Sequence, residues 1–174
     1  RICTSLKAII NITTDKCYEN VGFDKSYNEN DPLGGVDPYS SSKSCAELVT
    51  ASYRRSFFND LGVGVATVRA GNVIGGGDWA TDRLIPDILR SFELGMPVKV
   101  RSPNSTRPWQ HVLEPLSGYL LLAQKLYNNE EYAESWNFGP DEKDAKPVCW
   151  ILDKMISYWP DAAWELDKNN NLYE

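Results

Sequence analysis

An α/β fold organised around a parallel sheet is expected from three features of the sequence. Two short runs rich in β-branched residues, Leu6 to Thr13 and Val63 to Ala70, read as buried strands. Between them lies a stretch with helical apolar spacing that opens on Asp37-Pro38, an N-cap followed by a first-turn proline. Strand, helix and strand fit within about 65 residues, enough chain for the crossover that a parallel pair requires.

The elements follow in order. Leu6 to Thr13 is too short for a typical helix, and Asn20 to Gly35, holding Gly22, Pro32, Gly34 and Gly35, is loop. The helix that starts at Asp37-Pro38 carries Ala46, Leu48, Val49, Tyr53 and Phe57 to about Asn59, and Gly62 breaks it before the second strand. A Gly75-Gly76-Gly77 loop comes next. It leads to a helix over Leu84 to Leu94, a short strand at Val98 to Arg101, a helix from Pro115 to Tyr127, a strand at Trp136 to Phe138 and a helix over Val148 to Tyr158. No internal repeat or linker interrupts them. The chain opens on Arg1, meets a strand almost at once and closes in the polar stretch Lys168 to Glu174, which reads as a segment cut at both ends.

Composition narrows the function classes. The 174 residues are 42% hydrophobic and 24% charged, the balance of a soluble globular domain with a core rather than a disordered chain. A net charge of -6 argues against a broad nucleic-acid or anionic-membrane surface, so any anionic ligand must be held locally. One histidine, His111, and four cysteines at 3, 17, 45 and 149 without a C-x-x-C pair leave no metal-site spacing and no disulfide framework. A reducing cytoplasm fits that cysteine usage. The longest apolar patch, around Tyr119 to Ala123, falls far short of the roughly 20 residues a membrane span needs.

Two clusters carry chemistry. Ligands of open parallel sheets sit beyond the carboxyl ends of the strands, and directly after the first strand come Thr14-Asp15-Lys16: a hydroxyl, an acid and an amine. By itself such a triplet also fits a solvated turn. In the second cluster, Tyr39 and Lys43 stand at i, i+4 on one helical face. With Asp37 as N-cap, Tyr39 lies in the first turn, where the helix dipole and Lys43 together lower a phenol from its usual value of about 10 toward neutral pH. The spacing alone also fits an ordinary amphipathic contact. Its place after a strand ending in Thr-Asp-Lys favours a base.

The segments Thr14-Asp15-Lys16-Cys17-Tyr18, Asp37-Pro38-Tyr39-Ser40-Ser41-Ser42-Lys43 and Arg69-Ala70-Gly71-Asn72-Val73-Ile74-Gly75, in this order, resemble the extended short-chain dehydrogenase/reductase family of nucleotide-sugar enzymes. Gly76-Gly77-Asp78-Trp79, Arg83-Leu84-Ile85-Pro86 and the run Thr106 to Pro115 resemble in particular its dehydratases of CDP-linked glucose. The resemblance implies a partial Rossmann-like parallel sheet, made of the later strands, with a small α/β substrate-binding domain. Residues 1–75 would hold the carboxyl-terminal part of the Rossmann-like domain, and 76–174 most of the nucleotide-sugar-binding portion. It also implies NAD as cofactor, CDP-glucose as substrate, a homo-oligomeric parent, and neither nucleic acid nor membrane as partner. The family's amino-terminal glycine-rich turn is absent, since Gly75 to Gly77 follows the second strand and forms no G-x-G-x-x-G.

Roles follow from the same resemblance. Tyr39 is the base for the 4-hydroxyl, Lys43 lowers its pKa and binds the nicotinamide ribose, and Thr14 hydrogen-bonds the same oxygen. Asp15 and Lys16 divide the acid and base work of eliminating water across C5 and C6. Many relatives carry Asp-Glu here, so a lysine base must fall from its usual pKa of about 10.4. The Asp-Lys variant also occurs in inverting dehydratases of UDP-linked amino sugars, and so does not choose the substrate. Asn72 and Arg107 are the expected substrate ligands, Arg107 because its planar fork matches diphosphate oxygens, with Arg83 a further candidate. His111 is expected to open the next helix, Cys17 and Cys45 to be packing thiols, and Trp79 or Trp109 to lie beside a base. Three alternatives stay open: another nucleotide-sugar dehydratase, a 4-epimerase sharing the tyrosine and lysine, and a non-catalytic nucleotide-sugar-binding segment.

Overall fold

The computed structural model describes residues 3, 5–20 and 26–167. In chain order the elements are β1 (Ala8–Ile12), α1 (Pro38–Tyr53), β2 (Gly64–Ala70), β3 (Val73–Ile74), α2 (Leu84–Glu93), β4 (Val98–Val100), β5 (Thr106–Arg107), β6 (Gln110–His111), α3 (Leu113–Asn128), β7 (Ser135–Phe138), β8 (Lys146–Pro147), α4 (Val148–Ile156) and β9 (Trp164–Leu166). They gather in two compact units, 1–73 with 110–139 and 74–109 with 140–174. Each unit is built from two separate stretches of the chain. Residues 110–139 return to the first unit because β7 pairs with β2, and because Leu122 and Leu126 of α3 are buried against that sheet.

In the first unit β1, β2 and β7 form a parallel sheet in the order β1-β2-β7, with Ile12 opposite Val68 and Ala70 opposite Phe138. The central strand β2 is buried along nearly its whole length, and its side chains alternate between two helices. Ala66 and Val68 pack with Leu122 and Leu126 of α3, joined by Ala8, Ile10 and Trp136. Thr67 and Arg69 point the other way and meet Glu47 of α1. Gly64 permits the close approach of α3, for an added Cβ would stand 3.0 Å from a Leu126 methyl. Beyond β1 no further strand is present among the described residues. A groove of about 370 Å³ beside it is lined by residues including Ile9, Asn11, Val49, Tyr53 and Phe58.

Asp37 caps α1 as expected, its carboxylate accepting from the amides of Tyr39 (2.8 Å) and Ser40 (3.0 Å). The regular helix stops at Tyr53 rather than running to about Asn59. A π turn over Arg54–Phe58 continues it, and Arg54 there donates to the Val65 carbonyl at 3.1 Å. Gly62, at φ 63°, ends the segment in the left-handed region. The apolar residues that mark α1 as a helix are not the ones it buries: Leu48, Val49, Tyr53 and Phe57 are exposed, while Ser40, Ser44 and Glu47 face inward.

The second unit holds α2, α4, a parallel pair β4–β9 with Val98 opposite Trp164, and an antiparallel pair β5–β8. Its core is Ile88, Phe92, Val98, Val100, Val148, Ile151 and Leu152. The sequence does not suggest β9, whose Trp-Glu-Leu is too brief to show alternation, nor the two-residue strands β3, β5, β6 and β8. The loop expected over 20–35 lies partly outside the described residues, at 21–25, and so does the polar stretch 168–174. No helix among the described residues is long and apolar enough to cross a membrane.

Candidate functional site

Within the first unit Thr14, Asp15 and Lys16 follow β1, Asn72 follows β2, and Tyr39 and Lys43 stand in the opening turns of α1. After β1 the chain makes a single 3₁₀ turn, Asp15–Cys17, capped by Thr14. The Thr14 hydroxyl accepts from the Lys16 amide at 3.4 Å and donates to the Asp15 carboxylate at 3.1 Å. Thr14 is buried, Asp15 half-buried and Lys16 exposed. With its single proton on Asp15, Thr14 must rotate before it can donate to a ligand oxygen.

This turn sits on the head of α1. The Ser44 hydroxyl lies 2.7 Å from the Cys17 carbonyl and also reaches the Gly34 carbonyl, while the Gly34 amide donates to the Cys17 carbonyl at 2.9 Å. Gly35 allows the loop to approach, because an added Cβ would lie 2.3 Å from the Ser41 nitrogen. The Asp37 carboxyl is held below the usual carboxylate range, first by the Ser40 hydroxyl, then by the Ser40 and Tyr39 amides and by the positive charge of Lys16. Tyr39 is 52% exposed, and the Lys43 ammonium stands 5.9 Å from its ring centroid. Asn72 follows β2, and its carbonyl accepts from the Gln110 amide at 3.0 Å.

Behind the turn lies a buried ion pair that the sequence analysis does not single out. Arg69 of β2 grips Glu47 of α1 through two parallel hydrogen bonds, Nε to Oε1 at 2.9 Å and Nη2 to Oε2 at 2.8 Å, with both side chains 2% exposed. Thr13 and Thr67 donate their hydroxyls to the same carboxylate. The other arm of Arg69 donates to the Tyr18 phenol at 2.7 Å, and Tyr18 in turn donates to Asn137 Oδ1 at 2.7 Å. Burial pushes the Glu47 carboxyl up, but the bonds from Arg69, Thr13 and Thr67 together outweigh it and leave it below its ordinary value. Burial likewise raises the Tyr18 phenol, and it pushes the Cys17 thiol up to about 11. Two signals for this pair stand in the sequence: an arginine inside the otherwise uncharged Gly64–Ala70 strand, and a glutamate at i+4 from Lys43.

The second unit holds Arg83 and Arg107. Arg83 is exposed at the start of α2, where its carbonyl accepts from the Asp87 amide. Arg107 is half-buried on β5, opposite Lys146 of β8. Trp109 packs against the core of this unit and donates its indole N–H to the Lys146 carbonyl at 3.0 Å, while Trp79 is 56% exposed. In the first unit the His111 ring accepts from the Leu113 amide at 3.3 Å, opening α3. Cys17 is fully buried, but Cys45 is exposed on the outer side of α1 and is not a packing thiol. The described residues hold no cluster of His, Cys, Asp and Glu fit for a metal ion.

Tyr39 and Lys43 offer a phenol and an ammonium side by side on one face of α1. Gly34 and Gly35 make room for Glu19 and for α1 itself, and Gly76 and Gly77 lie in open space.

Comparison with known proteins adds to this geometry. Residues 2–139 match the model of the NAD dependent epimerase/dehydratase family. The chain is 59% identical over 177 residues to CDP-glucose 4,6-dehydratase of Salmonella typhimurium, a match that covers 98% of this chain and 49% of that protein. Among solved structures it is similar to dTDP-glucose 4,6-dehydratase of Bacillus anthracis in complex with NAD, with TM-score 0.70 and 22% identity over 94% of this chain and 51% of that one. It is also similar to UDP-glucuronic acid 4-epimerase of Bacillus cereus with UDP-glucuronic acid and NAD, with TM-score 0.78 and 17% identity over 94% and 50%. These two likenesses show the Rossmann-like fold. The chain spans about half the length of the Salmonella protein and of both structures.

Proposed function

The chain belongs to the NAD dependent epimerase/dehydratase family, and from that premise we propose that it carries the acid–base residues of a CDP-glucose 4,6-dehydratase and most of the groups that hold its nucleotide sugar. Tyr39 and Lys43 would hold the nicotinamide end of NAD, which would supply the hydride-accepting and hydride-donating chemistry that C4 and C6 require. Tyr39 takes the proton of the 4-hydroxyl, with Lys43 beside it to stabilise the phenolate and to hold the nicotinamide ribose. Thr14, rotated off Asp15, donates to the same oxygen. With C4 a ketone, the C5 proton is acidified; Lys16 as the neutral amine takes it, becoming ammonium, and Asp15 as the protonated carboxyl gives its proton to the departing 6-hydroxyl, becoming carboxylate. Asn72, Arg83 and Arg107 bind the sugar and diphosphate. The carrying observation is that Asp15 and Lys16 lie in a turn packed on the head of the helix bearing Tyr39 and Lys43, in a chain 59% identical to a CDP-glucose dehydratase.

A 4-epimerase needs no acid and base at C5 and C6, and so leaves Asp15-Lys16 without a task. Four free cysteines among the described residues suit a reducing cytoplasm. The exposed Leu48, Val49 and Tyr53 of α1, with Phe57 of the π turn after it, suit a homo-oligomer in which a second copy covers them.

The test replaces the matching segment of the Salmonella protein with this chain. The chimera is expected to convert CDP-glucose to its 4-keto-6-deoxy product, followed by absorbance in alkali, and to lose turnover but not CDP binding on Tyr39→Phe. The isolated chain, lacking a glycine turn for the pyrophosphate, is expected to show no turnover with added NAD. A folded, CDP-binding chimera without turnover would leave only the non-catalytic binding reading.

A further inference from the structure

The residues on either side of the Thr14-Asp15-Lys16 turn, Thr13 and Tyr18, are tied to the two halves of one buried ion pair. Thr13 donates to Glu47 Oε1, and Tyr18 accepts from Arg69 Nη1 at 2.7 Å. Glu47 and Arg69 are themselves locked bidentately, so the two flanks of the turn are joined through four side chains. Each anchor has a second support. The Thr13 amide donates to the Val68 carbonyl at 2.9 Å, and the Tyr18 ring stacks on Tyr27 with centroids 4.8 Å apart while Arg69 lies 4.9 Å over its face. The backbone bonds within the turn are long, the Cys17 amide to the Thr14 carbonyl at 3.3 Å and the Tyr18 amide to the Asp15 carbonyl at 3.5 Å; the Thr14 hydroxyl adds a cap on the Lys16 amide at 3.4 Å, and the Cys17 carbonyl is held from outside by Ser44 and Gly34. A three-residue 3₁₀ turn with backbone bonds of that length depends on such tethers from its surroundings.

We propose that Glu47 and Arg69 are positioning residues: as a clamp across α1 and β2 they fix both ends of the turn and so set where Thr14, Asp15 and Lys16 point. Neither reaches solvent, so the pair acts through the turn and not on a ligand. The clamp also explains why a charged pair stands between the sheet and α1. An apolar pair there would fill the same space but could not bond a threonine on one flank and a phenol on the other. Its catalytic consequence rests on the dehydratase reading of the turn.

Thr13→Val and Tyr18→Phe each release one flank and leave the ion pair intact. In the isolated chain, amide hydrogen exchange is expected to quicken about tenfold at Lys16 and Cys17 in the double variant, the change that loss of a hydrogen bond to a charged group produces. Exchange at the β2 amides is expected to stay as it was. Thr13→Ser is expected to keep the wild-type rate, since its hydroxyl remains. In the chimera, kcat for CDP-glucose is expected to fall while KM holds. Turn and β2 amides quickening together, or neither quickening, overturns the clamp. A turn that loosens while kcat is unchanged supports the clamp and overturns the catalytic reading of Asp15 and Lys16.

Discussion

Arg69→Leu is expected to destabilise the isolated chain by about 3–5 kcal/mol at neutral pH, the cost of leaving one partner of a buried ion pair behind. Glu47 would then keep only its hydroxyl donors, Thr13 and Thr67, and lose both bonds from the guanidinium. Glu47→Leu, leaving Arg69 with Tyr18 as its principal side-chain partner, is expected to cost about as much. The double variant should differ sharply from their sum. With both charges gone, Thr67 can turn to Ser135 Oγ at 2.9 Å and Thr13 to the Val68 carbonyl at 3.2 Å, so neither hydroxyl is orphaned. The double is therefore expected within about 1–2 kcal/mol of the parent, a coupling of several kcal/mol against the roughly 0.5 kcal/mol tolerance of independent sites.

The pH dependence carries a second check. Glu47 is held below its ordinary pKa in the folded chain, so its contribution is fully present above the unfolded carboxyl value of about 4.3 and is lost as pH falls through the lower folded value. In Arg69→Leu only the Thr13 and Thr67 hydroxyls still offset burial, so the carboxyl rises from its value in the parent. That penalty is greatest at high pH and shrinks as Glu47 takes up a proton. Urea unfolding followed by tryptophan fluorescence at about pH 7.5 and about pH 5 should thus show the Arg69→Leu penalty falling with pH, while the double variant changes little between them. Additive single costs, or an Arg69→Leu penalty that does not move with pH, would refute the account of the pair.

Two further expectations concern the reaction groups. In the chimera, Lys16→Glu should preserve hydride abstraction at C4 but alter the pH profile of elimination, because a carboxylate base is ready at lower pH than an amine; solvent deuterium entering C5 with an unchanged rate and profile would remove Lys16 from that step. Arg107→Ala should weaken CDP binding by about 1.5–3 kcal/mol, the range for a hydrogen bond to a charged group, and leave NAD affinity nearly unaltered; calorimetry showing the same dissociation constant for CDP would take Arg107 out of the site.

The elements with strong periodicity were legible, and their placement follows from it. Two β-branched runs bracketing a capped helix give β1, α1 and β2, and the apolar spacing of 84–94 and 148–158 gives α2 and α4. The inner face of α1 was not legible. Apolar periodicity marks a helix, and the usual inference is that the apolar stripe faces the core. Here the stripe of Leu48, Val49, Tyr53 and Phe57 is exposed, and the residues turned inward are two serines and a glutamate. A glutamate among serines reads as a solvent face unless its partner is known, and Arg69 is 22 residues away on another strand. The return of 110–139 to the first unit was hidden for a similar reason, since it depends on β7 finding the edge of β2.

That inner face changes how α1 should be understood. Tyr39, Lys43 and Glu47 stand at i, i+4 and i+8 and form one polar stripe running from an exposed phenol to a fully buried carboxylate. At its outer end the helix offers groups that a ligand can reach, and at its inner end it is bolted to β2. Helix rotation is therefore costly, because turning Tyr39 away would tear Glu47 from Arg69. A buried ion pair contributes little net stability over an apolar pair of the same size, so stability does not account for it. Orientation does: the same two residues index α1 against the sheet and hold both flanks of the Thr14-Asp15-Lys16 turn. The double apolar variant separates these effects, since it should fold about as well as the parent while leaving both the helix and the turn without their common reference.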